Sequence, residues 1–172
     1  TYGKFSIDAD GKWTYALNNA AANVQELKEG DTKTETFTVK SADGTVSSVV
    51  VTIVGTNDAA VITPNKPGDD AGSVKEDTTL TTSGTLLVND KDAGQSSFQA
   101  QTDTDGTYGK FSIDADGKWT YVLNNAAANV QALAEGETKT ETFVVKSADG
   151  TTSNVVVTIV GTNDVAVITP SK

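Results

Sequence analysis

The sequence contains no cysteine, no histidine, no methionine and no arginine. Each absence closes a class of chemistry. Without cysteine there is no thiolate nucleophile and no disulfide, so an extracellular location cannot be argued from bridges and a small secreted module needs another staple. Without histidine the chain lacks the side chain that titrates near neutral pH and the commonest nitrogen ligand for zinc. With no arginine, and with 16 Asp and 7 Glu against 13 Lys, the formal charge is −10. Such a surface repels phosphate backbones and anionic lipids, so neither nucleic acid nor direct membrane insertion is expected. Divalent cations suit the charge better. No run approaches the length of apolar sequence that spans a bilayer, no signal peptide is recognisable, and no N-x-S/T sequon occurs.

What is present is a repeat. The stretch TYGKFSIDADGKWTY at Thr1 returns unchanged at Thr107, and residues 1–64 align with 107–170 without a gap and with only eight differences. A period of 106 residues is too long for a solenoid unit and suits one small domain per repeat. The spacing places a complete repeat at 59–164. Residues 1–58 are then the C-terminal part of another repeat, lacking its opening strands, and 165–172 begin a further linker. NKPGDDAG (Asn65 to Gly72) is the most linker-like stretch. A partial sandwich exposes unpaired edges and an apolar face with Phe5, Trp13 and Phe37. Strands from elsewhere are therefore expected to complete it, by exchange with residues 67–106 of another copy or from sequence ahead of Thr1.

Period-two alternation defines the secondary structure. Phe111 and Ile113 share one face of KFSID; Trp119, Tyr121 and Leu123 share one face of KWTYVL; Phe143 and Val145 pair in TFVVKS; Val155, Val157 and Ile159 pair in NVVVTIV. These are half-buried strands of antiparallel sheets. Asp-Gly turns at Asp114–Gly117 and Ala148–Gly150 join them as hairpins. NNAAANVQAL predicts one or two helical turns, capped by an Asn, crossing between sheets with Val130 and Leu133 on one face. AGSVKED, GTLLVND and SFQAQ read as shorter strands, making roughly seven in all and an all-β sandwich. Trp119, Tyr121, Phe111, Phe143, Val155 and Val157 are the expected core. Ala16/Val122 and Thr38/Val144, two of the eight differing pairs, fall on outward faces.

At SGTLLVNDKDAGQSSF, GTYGKFSIDADGKWTYVLNN, ETFVVKSADGTTS and VVVTIVGTND the sequence resembles the VCBS repeats, which occur in tandem in very large secreted bacterial adhesins, often of the RTX type. The resemblance covers essentially the whole chain. It implies an immunoglobulin-like or cadherin-like antiparallel β-sandwich, export by a type I system to the cell surface, and a stalk role in attachment and biofilm formation. A second resemblance is to cadherins. GTND supplies Asn57 and Asp58, then Asn163 and Asp164, in the manner of their linker; Asp90 and Asp92 in NDKDAG resemble their D-x-D; Asp149 in SADG resembles their A-x-D-x-G; Glu76 corresponds to their early acidic residue. Gly55 and Gly161 stand where cadherins carry the first linker Asp, and no D-R-E is present.

Calcium takes six to eight hard oxygen ligands, so clustered Asp and Asn are the right chemistry. Asp90 and Asp92 lie two apart, on one face of an extended chain, and Asp58 precedes its own following repeat, so the three can meet at a repeat-to-repeat joint. The competing reading is of solvated turn and linker carboxylates. DADG lacks the spacing of an EF-hand, the Asp114/Asp116 pair reads as turn residues, and the tryptophans read as core. No nucleophile–base constellation can be assembled, so an enzyme is not expected. The leading expectation is a structural spacer whose partners are neighbouring repeats and calcium; the alternative is a glycan- or self-recognising module.

Overall fold

Residues with apolar side chains at every second position form strands wherever an Asp-Gly turn can fold them back, and this rule accounts for most of the architecture. The computed structural model describes residues 1–169. The chain divides into two compact units: unit 1 is Thr1–Ala59 with Asp90–Gln95, and unit 2 is Ala60–Asn89 with Ser96 onward. Of the segment 165–172, residues 170–172 lie outside the described residues. Among the described residues no helix is long and apolar enough to cross a membrane.

In unit 1, β1 (Gly3–Ile7) and β2 (Trp13–Leu17) form a two-stranded antiparallel sheet, with Phe5 opposite Tyr15. After α1 (Ala22–Gln25), β3 (Thr32–Lys40) and β4 (Val46–Val54) form a second two-stranded sheet. In unit 2 the strands are β5 (Val61–Pro64), β6 (Ala71–Lys75), β7 (Thr81–Asn89), β8 (Gln101–Asp105), β9 (Gly109–Ile113) and β10 (Lys118–Leu123), followed by α2 (Ala128–Gln131), β11 (Thr138–Lys146) and β12 (Thr152–Val160). They build a five-stranded sheet in the order β5-β7-β10-β9-β8 and a three-stranded sheet in the order β11-β12-β6.

The two sheets of unit 2 close on one core. Trp119, Tyr121, Phe111, Phe143, Val155 and Val157 are all buried in it, as the alternation predicts, together with Ile113, Leu123, Val145 and Ile159. The rings of Phe111 and Phe143 stack across the sandwich at 4.7 Å between centroids. Val122 and Val144, on the alternate faces, are exposed. The helix carries the chain from one sheet to the other and buries Val130, and the turn that follows it buries Leu133.

Several expectations are corrected. Unit 2 has eight strands rather than roughly seven, because Val61–Pro64 pairs with β7 as an edge strand. SFQAQ is a closure rather than a strand: the Phe98 amide donates to Ala115 at one sheet and the Gln99 amide to Lys146 at the other, and pairing resumes only at Gln101. β6 pairs parallel with β12, a non-local contact that alternation alone cannot announce. NKPGDDAG lies within unit 2: its first six residues join β5 to β6 and Ala71 and Gly72 open β6, and Nε1 of Trp119 donates to the Asp69 carbonyl at 2.7 Å. Both helices start at an alanine with no side-chain cap; the Asn124 carbonyl, not an Asn side chain, takes the Ala127 amide.

Candidate metal centre

The linker residues follow directly from a strand end that only glycine can make. A Cβ on Gly55 would stand 2.4 Å from the Lys28 carbonyl oxygen, and one on Gly161 would stand 2.5 Å from that of Ala134. These glycines let the chain leave β4 and β12 pressed against the loop after each helix, so a carboxylate has no room there. The linker acid is instead Asp58, and Asp164 one period later.

In unit 1 the Asp58 amide donates to Oδ2 of Asp92 at 2.9 Å, and the Asp92 amide donates to Oδ1 of Asp90 at 2.9 Å. The predicted trio is therefore brought together. Segment 90–95 is anchored by the Ala93 amide on the Glu26 carbonyl and by Lys91, whose Nζ lies 3.2 Å from Oε1 of Gln25 and 3.7 Å from Oδ1 of Asp58. Asp92 is only 2 % exposed, yet its Oδ1 has no hydrogen-bond donor; Oε1 of Gln95 is likewise buried without one. A buried carboxylate oxygen left bare costs the full desolvation of that group, on the order of 1–3 kcal/mol or more for a charge. Two bare anionic or carbonyl oxygens in one six-residue segment have the chemistry of hard-cation ligands.

In unit 2 carboxylate oxygens of Glu76, Asp77 and Asp164 lie within 4.8 Å of one another. Glu76 is fully buried at the end of β6; Oε1 accepts from Gln131 at 3.0 Å and Oε2 from the Thr162 amide at 3.1 Å. Asp77 is held at φ 61° with its Oδ1 2.8 Å from the Asn125 amide nitrogen. That bond, with those from Gln131 and Thr162, outweighs burial and keeps its carboxyl below the usual range. Asp77 is a functional candidate that the sequence reading missed; its signal was the acidic residue next to Glu76 in KED.

The other predicted residues are placed differently. Asp149 spends both oxygens on its own turn and a neighbour: Oδ1 accepts from Ser147 and the Thr151 amide, Oδ2 from the Ala60 amide at 3.1 Å and the Thr151 hydroxyl at 2.8 Å. Burial raises its pKa, but these bonds prevail and hold it far down. It does not join the Glu76, Asp77 and Asp164 group. The Asn57 side chain donates to the Asp58 carbonyl, and the Asn57 and Asn163 amides donate to Glu29 and Glu135.

The family described as the bacterial cadherin-like domain matches residues 57–161. The calcium-binding lectin RapA2 of Rhizobium johnstonii is 28 % identical over 175 residues, spanning 92 % of this chain and 71 % of that protein. Among solved structures, domains 4 and 5 of the S-layer protein SbsC cover 92 % of this chain and 90 % of their own, at 16 % identity and a TM-score of 0.38.

Proposed function

This chain belongs to the bacterial cadherin-like domain family, and from that premise we propose that it is a calcium-stiffened extender of a large secreted surface adhesin. The observation that carries the reading is the buried Asp92 carboxylate with a bare oxygen, held against the linker at Asp58. The two linkers supply complementary sets. Asp58 gathers Asp90 and Asp92, which follow it in sequence; Asp164, its equivalent, gathers Glu76 and Asp77, which precede it. In a tandem array each linker acid would see both sets, giving five carboxylates around one joint. Calcium there would cancel their repulsion and restrict bending between repeats. Nine-residue strands at about 3.3 Å per residue make each repeat on the order of 30 Å long, so copy number would set reach.

The reading extends to VCBS-type repeats of an RTX adhesin, exported by a type I system and working in attachment and biofilm formation, with no catalytic role. It rests on the sequence resemblance and the acidic joint. Calorimetric titration of calcium into chelator-treated protein tests it. The expected result is saturable binding in the 10⁻⁴–10⁻³ M class of extracellular modules, with melting raised by several degrees through mass action. Superimposable melts in calcium and in chelator would overturn it. The resemblance to a protein named a lectin favours a second reading, a glycan-binding module; saturable, sugar-specific retention on a glycan array would select it.

A further inference from the structure

A lysine stands inside one of the two acidic sets. Lys91 lies between Asp90 and Asp92, in a segment that is not a strand. Gly94, at φ 78°, closes a turn in which the Gln95 amide donates to the Asp92 carbonyl at 3.2 Å. Alternation therefore does not send Lys91 away from its acidic neighbours. Its Nζ stands 3.7 Å from Oδ1 of Asp58 and 3.2 Å from Oε1 of Gln25.

The glutamine is a fixed post. Its Nε2 donates to the Asn19 carbonyl at 2.8 Å, which leaves Oε1 facing the ammonium. Gln131, one period later, makes the same bond to the Asn125 carbonyl at 2.8 Å and also donates to Glu76 at 3.0 Å. Lys91 thus serves Asp58 and Gln25, while the buried Oδ1 of Asp92 stays without a donor. The ion pair is loose as well as partial. The Lys91 and Asp58 side chains are 65 % and 37 % exposed, and pairs so open to water add little stability and separate readily.

We propose that Lys91 is a tethered counter-ion that sets how tightly the linker carboxylates bind calcium. It holds Asp58 when the metal is absent and gives it up when the metal binds. The inference rests on the calcium reading above and adds the residue that tunes it. A divalent ion seated on the bare Asp92 oxygen attracts the Asp58 carboxylate with twice the charge of an ammonium. The two cations repel, so Lys91 either swings into solvent or stays on Gln25 and weakens the metal. Its flexible four-carbon stem allows both. A monovalent ion carries no more charge than the ammonium already in place, so the same lysine favours divalent over monovalent cations.

The test is a calcium titration of the chelator-treated 172-residue protein, followed at single amides by NMR. Ala93 and Gly94 report the Asp58 set, and Thr162 and Asn163 report the Glu76 set. In Lys91→Met the calcium midpoint at Ala93 should fall about three- to tenfold, the effect of removing a unit charge ~6 Å from a divalent ion in water. The midpoint at Asn163 should not move. Lys91→Arg keeps the charge and should titrate at Ala93 like the parent or more weakly. Melting in chelator checks that both variants are folded. Equal midpoints at Ala93 in Lys91→Met and the parent would overturn the role of Lys91 and leave the calcium reading standing. An equal shift at Asn163 would reduce the effect to net charge and overturn it as well. No titration at Ala93 in the parent or either variant would remove calcium from this site, and the inference with it.

Discussion

The Tyr121 hydroxyl donates to Oε2 of Glu141 at 2.5 Å, inside the sandwich, and the other oxygen of that carboxylate takes the amides of Thr107 and Tyr108. One acidic side chain on β11 thus ties β10 to the turn between β8 and β9. A Cβ at Gly106 would fall 2.5 Å from the same carboxylate, which is why the turn needs glycine there. Unit 1 repeats the arrangement with Tyr15 and Glu35, also at 2.5 Å.

Replacing Tyr121 by Phe removes a donor from a buried charge without changing packing volume. Hydrogen bonds to charged groups are worth about 1.5–3 kcal/mol, so Tyr121→Phe should lower unit 2 stability by that amount in urea unfolding. Tyr15→Phe should cost less, because Tyr15 is only partly buried whereas Tyr121 is fully buried, so water can replace the lost donor more easily in unit 1. Equal effects would mean that burial does not govern the strength of this bond.

The same pairs set the alkaline limit. Burial first, then the bond to Glu35 and its charge, push the Tyr15 phenol from 10.0 up to about 12; Tyr121 moves in the same direction from the same causes, with Glu141 as its partner. A raised folded pKa favours the protonated form in the native state. The stabilisation is therefore complete below pH 10 and lost as pH rises through 12 in unit 1. Tyrosinate absorbance and circular dichroism followed together should show ionisation coinciding with unfolding. Ionisation near pH 10 with the fold intact would contradict it.

The strands of this β-rich chain were legible where one face is core and the other solvent, as in KWTYVL and NVVVTIV. Alternation could not reveal that β6 crosses to pair in parallel with β12, nor that Phe98 bridges the two sheets, because both depend on contacts distant in sequence. The acidic site was half legible for the same reason. Spacing pointed to Asp58, Asp90 and Asp92, but Asp77 owes its place to a left-handed backbone, and the bare buried oxygen of Asp92 to tertiary packing.

The two tryptophans test how much local sequence decides. Trp13 and Trp119 sit in the identical stretch GKWTY, so any intrinsic preference is shared. Truncating a fully buried Trp costs about 3–5 kcal/mol, and Trp119→Ala should show this in unit 2. Trp13→Ala forfeits mainly its stacking on Phe5, about 0.5–1.5 kcal/mol for an aromatic pair. Denaturant unfolding of both variants measures the ratio. A comparable loss at Trp13 would show that its face is covered in solution.

Asp92→Asn separates a metal ligand from a turn residue by the sign of its effect. An asparagine keeps an oxygen for the Asp58 amide, removes the buried charge and supplies donors of its own. With chelator present, the substitution relieves a carboxylate that has a bare oxygen, so the variant should melt at or above the parent. With calcium at about 1 mM present, the parent gains about 0.4–1.4 kcal/mol for a dissociation constant in the 10⁻³–10⁻⁴ M range, and the variant gains much less. The order of the two melting temperatures should therefore reverse or widen against the variant when calcium is added. A variant that stays below the parent by the same margin in both conditions would make Asp92 a structural residue of the linker and remove calcium from this site.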